Sequence, residues 1–145
     1  MTISARNRFT GKINAIRTGA INAEVSLLTD TQLTIVATIT LFSLRQMQLH
    51  IGKNVEAYIK APWIMLHKGE HPIQSSARNQ FCGQITAITR GAVNCMVDVT
   101  LHEGSQLQCV VTKEAIRELS LVKGDAVSLL FKASHVLFGV RESSI

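Results

Sequence analysis

Five polar residues recur together at one fixed interval. Ser4, Arg6, Asn7, Thr40 and Lys60 reappear 72 positions on as Ser76, Arg78, Asn79, Thr112 and Lys132. Arginine offers a planar fork of donors, lysine a point charge, and serine and threonine neutral hydroxyl donors. Two cations and several hydroxyls per set suit an oxyanion. The same residues also fit a plain role, with Arg6 and Lys60 as solvated charges and Asn7 in a turn. Catalysis finds less support. The five histidines (His50, His67, His71, His102 and His135) do not recur, Glu24 meets Met96 in the shifted register, and Glu56 meets Ser128. A duplicated acid–base site would repeat its base. Neither a nucleophile elbow nor a P-loop is present, so the chain is not expected to be an enzyme. His67-Lys68-Gly69-Glu70-His71 spells a zinc-protease pattern in reverse. That pattern needs an unbroken helix, which Gly69 and Pro72 oppose.

The donors belong to a repeat of the whole chain. At the same shift Gly11 meets Gly83, Ile13 meets Ile85, Gly19-Ala20 meets Gly91-Ala92, and Lys60-Ala61 meets Lys132-Ala133. From residue 4 to 67 the register gives 20 identities in 64 positions without a gap, which argues for duplication of one folding unit. The polar stretch His67 to Pro72 reads as the joint. The expected units are therefore 1–68 and 73–145.

Each unit must present its donors on a small scaffold. Residues 9–16 are rich in β-formers. Gly19-Ala20-Ile21-Asn22 reads as a tight turn. Residues 23–28 and 33–39 read as a hairpin across Thr29-Asp30-Thr31. Thr40 to Leu49 has helical spacing, with Leu41, Leu44 and Met47 on one face and Thr40 as N-cap. Thr112 to Leu121 is its counterpart. A helix start there would offer free N–H groups to an anion. Val55 to Lys60 and Trp63 to Leu66 read as two more strands with a bend at Pro62. Five strands with one helix after the third is the order of an OB-type barrel, so the expected class is all-β, with two tandem OB-like barrels.

Bulk properties narrow the partners. The chain has 145 residues, a net charge of +5 and 5% aromatic residues. The charge favours anionic partners, but the basic residues are scattered and aromatics are few for base stacking. Phe9 and Phe81 fall at core-like strand positions and Trp63 stands alone, which leaves a nucleic-acid-binding OB module as the second reading. No helix-turn-helix pattern precedes residue 4, so operator reading of that kind is not expected. The first residues lack a charged and then apolar leader, and no apolar run reaches membrane-spanning length. Cys82, Cys95 and Cys109 form no C-x-x-C pair and read as small buried hydrophobes, consistent with a reducing cytoplasm.

Ser-Ala-Arg-Asn near the start, Gly-Ala-x-Asn in a turn and Lys-Ala-Pro-Trp near the end of the first unit resemble the molbindin (Mop) family. The tandem arrangement resembles its two-module, di-Mop members. The resemblance implies OB-like modules that bind molybdate or tungstate between modules of different subunits. It also implies a ring of six modules, hence a homotrimer, with a role in storage or homeostasis. By the same resemblance Ser4, Ala5, Arg6, Thr40, Ser43, Lys60 and Ala61 hold the oxyanion in the first unit. Ser76, Ala77, Arg78, Thr112, Lys132 and Ala133 do so in the second, where Ala115 replaces the helix serine and Ser134 stands in for Pro62 as a compensating donor. The metal is then held through its oxygens, with no residue as a direct ligand. A second type of site is assigned to the turns of Gly19, Ala20 and Asn22 and of Gly91, Ala92 and Asn94.

Overall fold

The computed structural model describes residues 5–140. Each sequence unit starts with a long strand, β1 (Asn7–Thr18) or β6 (Asn79–Arg90). In the first unit β2 (Asn22–Thr29), β3 (Thr34–Thr40), helix α1 (Leu41–Gln46), β4 (Asn54–Ile59), a 3-10 turn (Ala61–Trp63) and β5 (Met65–Lys68) follow. The second unit repeats the order with β7 (Asn94–Leu101), β8 (Gln106–Thr112), α2 (Lys113–Glu118), β9 (Ala126–Phe131), a 3-10 turn (Ala133–His135) and β10 (Leu137–Gly139). The fold is all-β, two curled five-stranded OB-like sheets.

β1 serves two neighbours in turn. Its start, Asn7–Lys12, pairs with β4, and its end, Gly11–Thr18, pairs with β2. The hand-over falls at Gly11, which faces Thr29 on one side and Val55 on the other. A Cβ there would overlap the Leu28 carbonyl oxygen and lie 2.7 Å from the Thr29 Cα, so only glycine fits. Two residues on, a register shift between Ile13 and Ala15 marks a bulge that turns the strand. Gly83 and the shift between Ile85 and Ala87 repeat both devices in β6.

The sheets do not follow the repeat. Sheet one has the order β10-β4-β1-β2-β3 and sheet two β5-β9-β6-β7-β8. The last strand of each unit therefore lies in the other unit's sheet: Met65 pairs with Leu130, and Leu137 with Tyr58. His67 and Lys68, expected in the joint, end β5 instead, opposite Ser128 and Val127. The connecting loop starts at Gly69, whose φ of +111° favours glycine. One apolar core runs through both units, with Phe131, Ile13, Leu27, Ile35, Ile59, Ile85 and Leu129 among its buried members. Alternation in β2 and β7 sends every second side chain into it. Phe9 is buried there, and Phe81 packs on Phe131 with ring centroids 5.9 Å apart, as their positions in the sequence predict.

The helices are shorter than their sequence spacing predicts. Each has six residues, because the chain turns left-handed at Gln48 and Ser120, both with φ of 50°. Leu41, Leu44 and Met47 still pack on the core. In the second unit Ile116 is buried, while Leu119 is exposed.

Candidate functional site

The two Ser-Ala-Arg-Asn segments do not face the helix of their own unit. Asn7 pairs with Ile59 at the start of the β1–β4 ladder, whereas Thr40 pairs with Asn22 beyond the far end of β1. Arg6 and Lys60 flank the Asn7–Ile59 pair in sequence, and their set is separated from Thr40 and Ser43 by the length of β1. The same holds for Arg78 and Lys132, next to the Asn79–Phe131 pair, and Thr112, paired with Asn94.

The asparagines explain where the segments go. β3 is an edge strand, and its exposed peptide groups would otherwise lack partners. The Asn79 side chain supplies them: its Oδ1 accepts from the Val36 N–H and its Nδ2 donates to the Val36 carbonyl, both at 2.8 Å. Asn7 does the same for β8, accepting from the Gln108 N–H at 2.7 Å and donating to its carbonyl at 2.9 Å. Both asparagines are buried. Each amide acts as one peptide unit of a missing neighbouring strand. Asn7 and Asn79 are therefore clamps between units, not turn residues.

Past the clamp, the second unit's segment follows β3 towards its helix. Arg78 Nη1 donates to Glu24 Oε2, and Glu24 lies opposite Thr38 in the β2–β3 ladder. β3 also packs against Ala133–His135. Arg78 and the Ala133–His135 turn of the second unit thus lie against the first unit's β2–β3 hairpin, whose last strand ends at Thr40, the N-cap of α1. In the same way β8, which ends at Thr112, packs against Ala61–Trp63 of the first unit. Ser4, the remaining first-unit donor, lies outside the described residues. Ser76 is exposed, and Ala5 and Ala77 are half-buried.

The helix starts offer hydroxyls more than free amides. The Leu41 N–H donates to the Ile21 carbonyl at 3.0 Å and the Ser43 N–H to Thr40 Oγ1 at 3.0 Å. The Lys113 and Ala115 amides are used alike, by the Val93 carbonyl and Thr112 Oγ1. Most of the N–H groups expected to face an anion are thereby satisfied within the chain. Thr40 Oγ1 also donates to Ser43 Oγ at 3.0 Å, which leaves the Ser43 hydroxyl as the outward donor. In the second unit Ala115 removes that serine, and the Thr112 hydroxyl proton itself stays available.

Ala5, Lys60 and Ser134 line one cavity of about 330 Å³ together with Trp63 and His135. Trp63 and His135 occupy equivalent positions in the two units and stack there, centroids 4.8 Å apart. Lys60 Nζ lies 5.3 Å from the Trp63 ring centroid. Ala61 and Ala133 are buried, and Lys60, Lys132 and Ser134 are exposed around them.

The Gly-Ala-x-Asn turns dock on the helix starts. Gly19 donates to the Asn22 carbonyl at 2.8 Å and Gly91 to the Asn94 carbonyl at 3.0 Å, which closes each turn. Their exposed Ala20 and Ala92 differ in setting. Ala92 lies in a cleft of about 560 Å³ with Arg90, Lys113 and Arg117, where the first unit has Thr18, Leu41 and Arg45.

Sequence reasoning missed the partner of Arg78. The signal was present as a failed identity, Glu24 against Met96, because a residue that breaks the repeat beside a repeated arginine changes its setting.

Comparison with known proteins adds names to this geometry. The TOBE domain family matches residues 3–66 and again 75–138. Two proteins called molybdenum transport protein ModE, from Herbaspirillum seropedicae and Azotobacter vinelandii, are each 37% identical, over 98% and 97% of this chain and 53% and 52% of their own. The molybdenum-pterin-binding protein MopA of Rhodobacter capsulatus is 35% identical over 97% of this chain and 53% of its own. The chain spans about half the length of these curated relatives. A solved structure of the cytoplasmic molybdate-binding protein ModG with molybdate bound matches with a TM-score of 0.92 and 43% identity. That match covers 97% of this chain and 100% of the other.

Proposed function

The chain belongs to the TOBE domain family through two tandem copies, and from that premise we propose that it is a cytoplasmic protein that binds molybdate or tungstate reversibly. The observation that carries the proposal is the crossing of the two units. It brings the 3-10 turn of each unit against the strand that leads into the other unit's helix, which supports a site of one arginine, one lysine and a free hydroxyl at each junction. A tetrahedral dianion matches such a set, with charge-assisted hydrogen bonds of roughly 1.5–3 kcal/mol each. Micromolar affinity corresponds to about 8 kcal/mol, which about four such bonds near the upper value leave after an ordering cost of about 4 kcal/mol. Binding needs no covalent step, which fits a storage or buffering role and not catalysis. Arg6, Thr112, Lys60 and Ala61 are assigned to one junction, and Ser4 is kept as a donor on the sequence motif alone. Ser76, Ala77, Arg78, Thr40, Ser43, Lys132, Ala133 and Ser134 are assigned to the other, with Ala5 lining the space between Lys60 and Ser134. The basic cleft at Ala92 is the candidate for the second type of site.

A homotrimer is part of the same proposal. Ile21, Val93, Phe42, Ile51, Met65 and Leu137 are each more than half exposed, and exposed apolar side chains in this number support burial against further copies. Light scattering giving three chains per particle is the expected result.

Calorimetric titration with molybdate, repeated in excess sulfate, tests the function. Saturable heat that survives sulfate, at more than one ion per chain, is expected. Absence of heat in both buffers overturns the reading. Arg6→Ala should weaken one class of sites by about tenfold or more and leave the folded spectrum unchanged.

A further inference from the structure

We infer that Glu24 is a resident competitor for the oxyanion at the Arg78 junction, and that it holds this junction at lower affinity than the Arg6 junction. The inference rests on the assignment of Arg78 as an oxyanion-binding residue. Glu24 uses both carboxylate oxygens on arginines. Oε2 accepts from Arg78 Nη1, and Oε1 accepts from Arg17 Nη2 at 3.1 Å. An incoming dianion must either share the Arg78 guanidinium with this carboxylate or break the first of these bonds. Arg17 stands directly opposite Glu24 in the β1–β2 ladder and keeps the carboxylate in place by the second. A displaced Glu24 therefore remains beside the bound dianion as a like charge. Its side chain is 24% exposed and that of Arg78 50%, so solvent weakens the contact without removing it.

The other junction has none of this. Met96 stands where Glu24 does, paired with Val110 as Glu24 is with Thr38, and Thr89 stands where Arg17 does. Arg6 is exposed and makes no ion pair among the described residues. The difference is one of charge: the hydroxyl-rich side of the protein carries the occupied arginine, and the hydroxyl-poor side carries the open one. A chain with two junctions related by its repeat thereby acquires two classes of site.

The test is molybdate titration of the wild type, Glu24→Gln, Glu24→Gln/Arg78→Ala, Met96→Glu and the charge control Glu70→Gln, whose residue lies exposed in the connecting loop. Glu24→Gln should tighten the weaker class about tenfold. The gain should vanish with Arg78→Ala, and Met96→Glu should weaken the tighter class. Glu70→Gln should bind as the wild type does. Equal affinities for wild type and Glu24→Gln, with saturable binding in both, overturn the inference and leave the oxyanion reading standing. A gain that persists without Arg78, or that Glu70→Gln reproduces, also overturns it, because charge alone then accounts for the effect. Absence of binding in every variant overturns both.

Discussion

Asn7 and Asn79 each commit a side-chain amide to a peptide group of the other unit, and their chemistry follows from that contact. Asn79→Ala leaves the Val36 N–H and carbonyl without partners at a buried edge. An unpaired buried group costs about 1–3 kcal/mol, so denaturant unfolding should show a loss of roughly 2–4 kcal/mol. The sequence marks these asparagines as special through their recurrence, but it cannot name the partner, because main-chain atoms of Val36 and Gln108 carry no residue signature. Cys109 was readable from composition as a buried hydrophobe, and it is fully buried. Burial first, and the charge of Asp98 second, push its thiol up to about 12 from 9.0. Below pH 9 both folded and unfolded chains hold the proton. Between 9 and 12 only the folded chain does, so stability falls as pH rises through that window. From pH 8 to 10.5 the wild type should lose about 2 kcal/mol more than Cys109→Val, measured by denaturant midpoints at the two pH values.

Among elements, β1 and β6 do the most positioning. Their long, bent course holds the arginine segment at one end and the Gly-Ala-x-Asn turn at the other, and it depends on Gly11 and Gly83. Gly11→Ala forces a methyl into the Leu28 carbonyl. The expected cost is about 3 kcal/mol, read as a lower thermal midpoint, whereas Gly104→Ala at an open turn meets no neighbour and only carries the strain of a φ of +105°. Strand positions were legible because alternation in β2 and β7 is regular, and the helix N-caps because threonine precedes an apolar stripe. Helix ends were not. Gln48 and Ser120 have no Cβ-free backbone to advertise a left-handed turn, so the apolar spacing runs past the place where the helix stops.

At the scale of the whole molecule, the hairpin tips of the two units also touch. Thr31 Oγ1 and Ser105 Oγ are 2.7 Å apart, and Ser105 bonds Glu103 through both its N–H and its hydroxyl. Burial opposes the Glu103 carboxylate, but the Ser105 and Thr31 hydroxyls and the Ser105 amide together hold its pKa below the ordinary value. The exchanged strands tie the units far more firmly. A cleavage site engineered between residues 71 and 75, which are exposed, should yield two fragments that co-elute in native buffer and part only in denaturant. Separation in native buffer would contradict the pairings of β5 with β9 and β10 with β4. The exchange was not legible in the sequence for a physical reason. β4 and β9 are equivalent by the repeat, so β5 fits the edge of either one.

That exchange also constrains how such a chain can be altered by recombination. A crossover in the connecting loop would replace the second unit and bring in a new β9 and β10, yet β5 of the old unit would have to seat on the new β9 and the new β10 on the old β4. Each unit's last strand is inherited with one half and selected for its fit to the other. The two halves are therefore separable as text but not as exchangeable parts, and a shuffled chimera should fold only when Met65–Lys68 and Leu137–Gly139 travel with the sheets they complete.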